Sequence, residues 1–236
     1  MQPEQMQTTM AASHAPVQRE RPALGSAPVP PLDPIEKFAE IQRFRRDQGI
    51  CAEGEPVGYC YRPVSGAVRS VKLLEDGRRQ VIAFFLPGDL LGFDLPERHA
   101  FSLEAVTDTV VKRYPRRVVE AASEQSPAMA RLVRETMQQS LRQAQGRIVQ
   151  LGRKKAGERL AGFLLEMAER THVANRAVLD LPMARTDIAD HLGLTVETVC
   201  RELSRLRRDR AITVNGTRIA IGDWRSLREA GGDRCH

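Results

Sequence analysis

The chain has no apolar run approaching the ~18 residues of a membrane-crossing helix, and its start lacks the compact basic-then-apolar pattern of a secretory leader. Both absences argue against membrane insertion and secretion, so a cytoplasmic location is expected. The four cysteines, Cys51, Cys60, Cys200 and Cys235, include no C-x-x-C pair. That scatter argues against a disulfide framework and a standard zinc site and leaves reduced thiols, with Cys51 and Cys60 read as half-buried structural ones. His99, His172 and His191 stand apart, and no Ser/His/Asp or Cys/His set recurs at a recognisable catalytic spacing. An enzyme is not expected, and no metal or cofactor is assigned.

What the chain does have is local positive charge. Lys and Arg number 36 against 30 Asp and Glu, a formal net charge of +6, which suits a polyanionic partner but is shared by many soluble proteins. The distribution is more telling, because Arg201 to Arg210 holds five arginines against two acids. This run closes the stretch Thr186 to Arg210, which packs a short helix, a glycine turn at Gly193 and a basic amphipathic helix into one helix-turn-helix pattern. In the second helix Val196, Val199, Leu203 and Leu206 recur at three- and four-residue spacing, leaving Glu197, Cys200, Arg201, Ser204 and Arg208 opposite. Ile188, Ala189 and Leu192 of the first helix are the expected packing partners of that stripe. Thr195 is placed to cap the second helix, and Glu197 adds negative charge where the helix dipole favours it. Periodicity alone fits a DNA reader and an ordinary helical hairpin with a solvated face equally well.

Along the chain, residues 1–33 are rich in Pro, Gln, Ala and Ser and read as a disordered arm. Pro34 to Asp47 carries Ile35, Phe38, Ile41 and Phe44 at threefold spacing, which predicts a short amphipathic helix. From Cys51 to Tyr114 the period is that of strands, expected over Val57–Val64, Ala67–Leu74, Gln80–Leu86, Phe101–Val106 and Thr109–Tyr114. Ser65-Gly66, Asp76-Gly77 and Pro87-Gly88 cut them, as in a small antiparallel roll or barrel. A short helix is expected over Arg116–Ala122. Ser126-Pro127 then caps a long one whose Met137, Leu141, Ala144, Ile148 and Leu151 form a coiled-coil seam, so a homodimer is expected. A break is expected around Gly152–Lys155, where Lys154 and Lys155 could solvate a linker or touch DNA backbone. Beyond it Leu160, Phe163, Leu164 and Met167 face a new core. Ala211–Val214 and Thr217–Ile221, joined by Asn215-Gly216, read as the hairpin of a winged helix, with Arg218 placed to meet a phosphate. Asp223-Trp224 starts a last short helix, and 231–236 should fray. The expected class is α+β: arm 1–33, β-roll 34–125, dimerisation helix 126–152 and winged helix-turn-helix domain 153–236.

The run D-I-A-D-x-L-G-L-T-x-E-T-V-x-R-x-L-x-x-L, from Asp187 to Leu206, resembles the DNA-binding motif of the Crp/Fnr family of bacterial transcription regulators, nearest the Fnr and FixK branch. Independently, the segment from Gly66 to Gly92 resembles that family's cyclic-nucleotide-binding β-roll, with Gly66, Gly77, Gly88 and Gly92 at its turns. Together the two resemblances cover about Gly49 to Trp224. They imply double-stranded DNA as partner, read at base edges by Glu197, Cys200 and Arg201. Arg can be bidentate to guanine O6 and N7, and a carboxylate can accept from a cytosine amino group. Thr195, Thr198, Ser204, Arg205, Arg208 and Arg218 are the expected backbone contacts.

The resemblance further implies a TTGAT-N4-ATCAA palindrome, activation of low-oxygen, nitrogen-fixation or denitrification genes, and RNA polymerase as a further partner. Departures from the family pattern are informative. Cys200 stands where serine is usual, which makes it a candidate redox site, and Ala184 stands where a capping threonine is usual. The arm lacks the cysteine cluster of the iron–sulfur oxygen sensors, so such a centre would need Cys51, Cys60 and Cys235. Cyclic AMP binders use a Gly-Glu pair and an Arg-Ser pair, whereas Gly92 is followed here by Phe93, and His99 and Ala100 stand in the second place. Arg98, one position off, is the remaining candidate for the phosphate. The alternative is therefore a regulator gated by a small, cyclic-nucleotide-like molecule bound in the roll.

Overall fold

The computed structural model describes residues 31–92, 97–171 and 178–232. Its N-terminal half pairs into two antiparallel sheets. One runs in the order β1 (Glu40–Phe44), β7 (Thr109–Pro115), β3 (Tyr59–Ser65). The other is β2 (Gly49–Cys51), β6 (Ser102–Ala105), β4 (Val68–Leu73), β5 (Arg79–Phe85). Gly66 turns β3 into β4 at a φ of +78°, and any Cβ there would lie 2.5 Å from Thr109 Oγ1 and 2.6 Å from the Asp108 carbonyl. Only glycine supplies both the left-handed backbone and the space. Tyr61, Val68, Leu91, Leu103 and Val111 pack inside the roll, while Leu32, Ile35, Cys60 and Tyr114 form a second cluster with the helices that follow.

The five expected strands form within two residues or so at either end. Residues 34–47 do not form the expected helix: a 3-10 turn at Glu36–Phe38 gives way to β1, which pairs with β7 from Glu40↔Arg113 to Phe44↔Thr109. Strand pairing satisfies these backbone groups and overrides a weak threefold period. Leu32 is buried as well, so the ordered roll begins before residue 34, while residues 1–30 of the expected arm lie outside the described residues.

Helix α1 (Arg116–Gln125) leads into α2 (Pro127–Arg153), whose first free N–H groups are met by Ser126: its Oγ accepts from Met129 N at 3.4 Å. At 27 residues α2 is about 40 Å long. Met129 at its start is buried against Val119 and Ala122. Farther along, Met137, Leu141, Ile148 and Leu151 are 42%, 60%, 72% and 39% exposed, and Ala144 is exposed too, so one apolar stripe lies uncovered on the single chain. After Lys154 the chain restarts as α3 (Ala156–Arg170). Arg159 stitches the corner by donating to Lys154 O and Leu151 O, and Lys154 Nζ donates to Gly231 O at 2.7 Å.

The remainder is α4 (Arg185–Leu192), α5 (Val196–Arg208), α6 (Trp224–Ala230) and a sheet of order β8 (Val178–Asp180), β10 (Arg218–Ile221), β9 (Ile212–Asn215). It does not hang free of the roll. Ala67, Val71, Val81, Phe84, Leu86 and Val106 of the roll share one apolar cluster with Phe163, Leu164, Ile188 and Leu192. His191 sits at the join, its ring centroid 4.9 Å from that of Phe84 and 5.5 Å from that of Phe163. Nδ1 faces Val81 O at 3.1 Å and so carries the proton, leaving Nε2 to accept from the Arg147 guanidinium of α2. Arg147 also donates to His191 O at 2.9 Å.

Burial, then the nearby charges of Arg147 and Arg170, hold the His191 pKa well below 6.5, with the Val81 carbonyl opposing them. Above pH 6.5 the ring is neutral in both folded and unfolded chains, and stability is full. As pH falls below that value the unfolded chain takes up a proton that the folded one refuses, costing up to ~1.4 kcal/mol per pH unit. Between pH 7.5 and 5.5 the wild-type thermal midpoint should therefore fall by roughly 2–4 °C more than that of His191→Phe. Equal falls, read by circular dichroism, would contradict this assignment.

Candidate nucleic-acid interface

The helix-turn-helix is built from complementary faces of α4 and α5. α4 ends at Gly193, whose φ of +62° and ψ of 45° turn the chain, with Leu194 N donating to Ala189 O at 3.0 Å. Two residues later Thr195 starts α5, its Oγ1 accepting from Thr198 N at 3.2 Å. Val199, Leu203 and Leu206 are buried against Ile188, Ala189 and Leu192, as the periodicity requires. Each such leucine contributes about 1.5–3 kcal/mol by leaving water, which holds the helix by one face. At the first turn of α4, Ala184 offers no side-chain cap, and Asp187 compensates: its Oδ2 accepts from Ala184 N at 3.2 Å.

The other face of α5 is open. Glu197, Cys200, Arg201, Ser204 and Arg208 are all exposed, as is Thr195, and Thr198 is half-buried. Hydrogen bonds from its own backbone N–H and from the Thr195 hydroxyl hold the Glu197 carboxyl below the usual carboxylate range, so it is ionised at neutral pH. Arg201 is 68% exposed and held only loosely, by a 3.5 Å contact to Thr198 Oγ1 and a 3.8 Å contact to Glu202. Arg205 has a 46% exposed side chain and also keeps a partner within the protein. Its guanidinium turns back to Glu202 at 3.1 Å and lies against Gly157 of α3, because its position borders the buried flank of the helix.

Beside α5 stands the wing. Asn215-Gly216 joins β9 to β10, and β8, a strand too short to register in the sequence, adds a third strand through Arg218↔Asp180. Arg218 is exposed, with Asp180 at 3.9 Å. Sequence reasoning missed Arg185, the first residue of α4. It donates to Gly216 O at 3.0 Å, so one guanidinium ties the wing to the first helix, and burial lowers its pKa. No periodic signal marks it.

Residues 158–230 match the Crp-like helix-turn-helix domain family, and residues 41–126 match the cyclic nucleotide-binding domain family. Over 178 residues, 75% of this chain and 80% of the relative, the chain is 37% identical to the nitrogen fixation regulation protein FixK of Rhizobium meliloti strain 1021. The chain belongs to the Crp/Fnr family of transcription regulators, on its FixK-like branch. FixK of Azorhizobium caulinodans is 39% identical over 189 residues, 78% of this chain and 76% of that protein. Among solved structures, FixK2 from Bradyrhizobium japonicum superposes with a TM-score of 0.78 at 41% identity, covering 84% of this chain and 98% of that one.

Among the described residues of the roll, His99 and Ala100 stand at the place the resemblance assigns to the cyclic-phosphate pair. Phe93 lies outside the described residues, as do His172 and Cys235. Arg98 does not reach inward as the sequence allowed: it is exposed, and its Nη1 donates to Gly54 O at 2.7 Å. His99 is buried instead, and burial lowers its pKa. Cys60 is fully buried with Sγ 3.4 Å from Gly92 O, while burial pushes the half-buried Cys51 thiol up to about 11. The Cys51 thiol is therefore protonated at neutral pH. Among the described residues no group of three His, Cys, Asp or Glu side chains is placed to hold a metal ion, and no helix is long and apolar enough to cross a membrane.

Proposed function

We propose that this chain is a cytoplasmic, dimeric activator that reads a TTGAT-N4-ATCAA palindrome and recruits RNA polymerase to low-oxygen, nitrogen-fixation or denitrification genes. The observation that carries the reading is the exposed row Glu197, Cys200, Arg201 on a helix pinned by its opposite face. Such a row fits the major groove, with Arg201 donating to guanine O6 and N7 and Glu197 accepting from a cytosine amino group. Thr195, Thr198, Ser204, Arg205, Arg208 and Arg218 surround it as phosphate contacts, Arg205 from a partly exposed guanidinium whose Nε meets Glu202. The FixK relatives supply the physiological part of the proposal.

Arg201→Ala should weaken palindrome binding by about 1–3 kcal/mol per half-site and relax discrimination at the guanine. Fluorescence anisotropy on the palindrome and on guanine-substituted versions reads both quantities. A variant with wild-type affinity and preference would remove Arg201 from the base-reading set.

A palindrome presents its half-sites one turn apart, so two reading helices must be joined. The uncovered stripe Met137, Leu141, Ala144, Ile148, Leu151 on α2 provides the seam, since a second copy buries it. Leu141→Glu and Ile148→Glu each bring like charges together at the two-fold contact, so both should sediment as monomers and bind the palindrome weakly. An intact dimer in both would exclude this seam.

Cys200 gives the reader a redox response. Peroxide oxidises its thiolate to the sulfenate with release of water, and a second peroxide yields the sulfinate. The added negative charge then opposes the attraction of DNA phosphates for the basic helix. Peroxide-treated wild type should lose palindrome binding while Cys200→Ser retains it, and equal loss in both would place the response elsewhere.

A further inference from the structure

α4 has a second face, which the helix-turn-helix does not use. Ile188, Ala189 and Leu192 meet α5, whereas Asp187, Asp190 and His191 point to the roll. Spaced by three and four residues, these three share one side of the helix. Asp187 is 3% exposed and Arg69 of β4 is 5% exposed; Arg69 Nη1 donates to both Asp187 oxygens at 3.1 and 3.2 Å. The rest of the Arg69 guanidinium meets Glu104 and Asp47 of the roll. Arg79 of β5 adds Nη2 to Asp187 at 2.6 Å and Nε to Asp190 at 2.8 Å. Gln80 donates to Asp190 O, and His191 closes the row on Val81 and on Arg147 of α2.

We propose that this clasp of Arg69, Arg79, Asp187, Asp190 and His191 makes the roll a positioning element for DNA reading: it sets the separation of the two reading helices and hence the half-site spacing the dimer prefers. The reasoning is geometric. α4 lies between β5 and α5, so α5 cannot tilt about the corner at Lys154 without carrying α4 off the roll. Arg147 belongs to the helix that carries the dimer seam, so the same clasp refers the reading helix to the two-fold axis. Apolar contact alone would let α4 slide along β5, whereas directed pairs between guanidinium and carboxylate fix rotation and register together. No member of the clasp lies on the exposed face of α5, so its effect on DNA acts through position.

The proposal rests on the dimeric palindrome reading, and its test separates the two. Full-length wild type, Arg79→Ala, Arg79→Lys and Asp190→Asn are titrated with palindromes whose half-sites are separated by three, four or five bases. Wild type should favour the four-base spacer, Arg79→Ala should lose at least fivefold of that discrimination, and Arg79→Lys should recover part of it. Should Arg79→Ala fail to fold, Asp190→Asn decides, because it removes one half-exposed partner of the clasp. A second readout needs no DNA. In a Cys51→Ser/Cys235→Ser background, spin labels on the two Cys200 thiols report the distance between reading helices. That distribution should be narrow for wild type and broad for Arg79→Ala. Unchanged spacing preference and an unchanged distribution in both clasp variants would overturn the proposal. A wild type with a narrow distribution but no palindrome preference would overturn the DNA-reading assignment and leave the clasp standing.

Discussion

One carboxylate, Asp187, does two things at once, and the arrangement of the C-terminal half follows from both. It accepts from Ala184 N at the start of α4, where the helix dipole favours a negative charge, and it accepts from two arginines of the roll. A buried ion pair is not stabilising in itself, because desolvation cancels much of the attraction. What it provides is specificity, since leaving either charge buried alone costs about 3–5 kcal/mol. With Arg69 held by Glu104 and Asp47 on one side and Asp187 on the other, alternative placements of α4 on β5 leave a guanidinium or a carboxylate stranded.

The reading face inherits that rigidity. α5 is held to α4 by Val199, Leu203 and Leu206, α4 is held to the roll by its acidic face, and Arg147 brings in the long helix. A continuous set of packed and hydrogen-bonded groups therefore runs from the apolar stripe of α2 to the exposed row on α5. The roll of this FixK-like chain is built into the DNA-binding half through a shared apolar cluster, and the place the resemblance assigns to a cyclic-phosphate contact holds a buried histidine, His99.

Much of this architecture was legible from local signals. Glycine turns punctuated the roll, Ser126-Pro127 announced α2, and Asn215-Gly216 announced the wing, because each is a local rule that tertiary packing seldom overrides. The stripe and the exposed row of α5 followed from periodicity, and resemblance supplied the family. What stayed hidden was non-local. Residues 34–47 look helical until a partner strand is available in β7, 60 and more residues away. Asp187, Asp190 and His191 look like a solvated face until β4 and β5 place Arg69, Arg79 and Val81 against them. Arg205 and Arg208 look alike in the basic run, and only the contacts of Arg205 with Glu202 and Gly157 distinguish them. Arg185 joins the first helix to the wing through a single donor and leaves no trace in spacing.

The most direct measurement of the central claim, that α4 is part of the roll as much as of the helix-turn-helix, is native-state hydrogen exchange of the full chain. Amides of α4 and of β5 should become exchangeable together, with the same opening free energy and the same dependence on denaturant. Exchange of α4 at markedly lower denaturant than β5, in step with α5 and the wing alone, would show a reading domain that moves independently of the roll and would contradict the account.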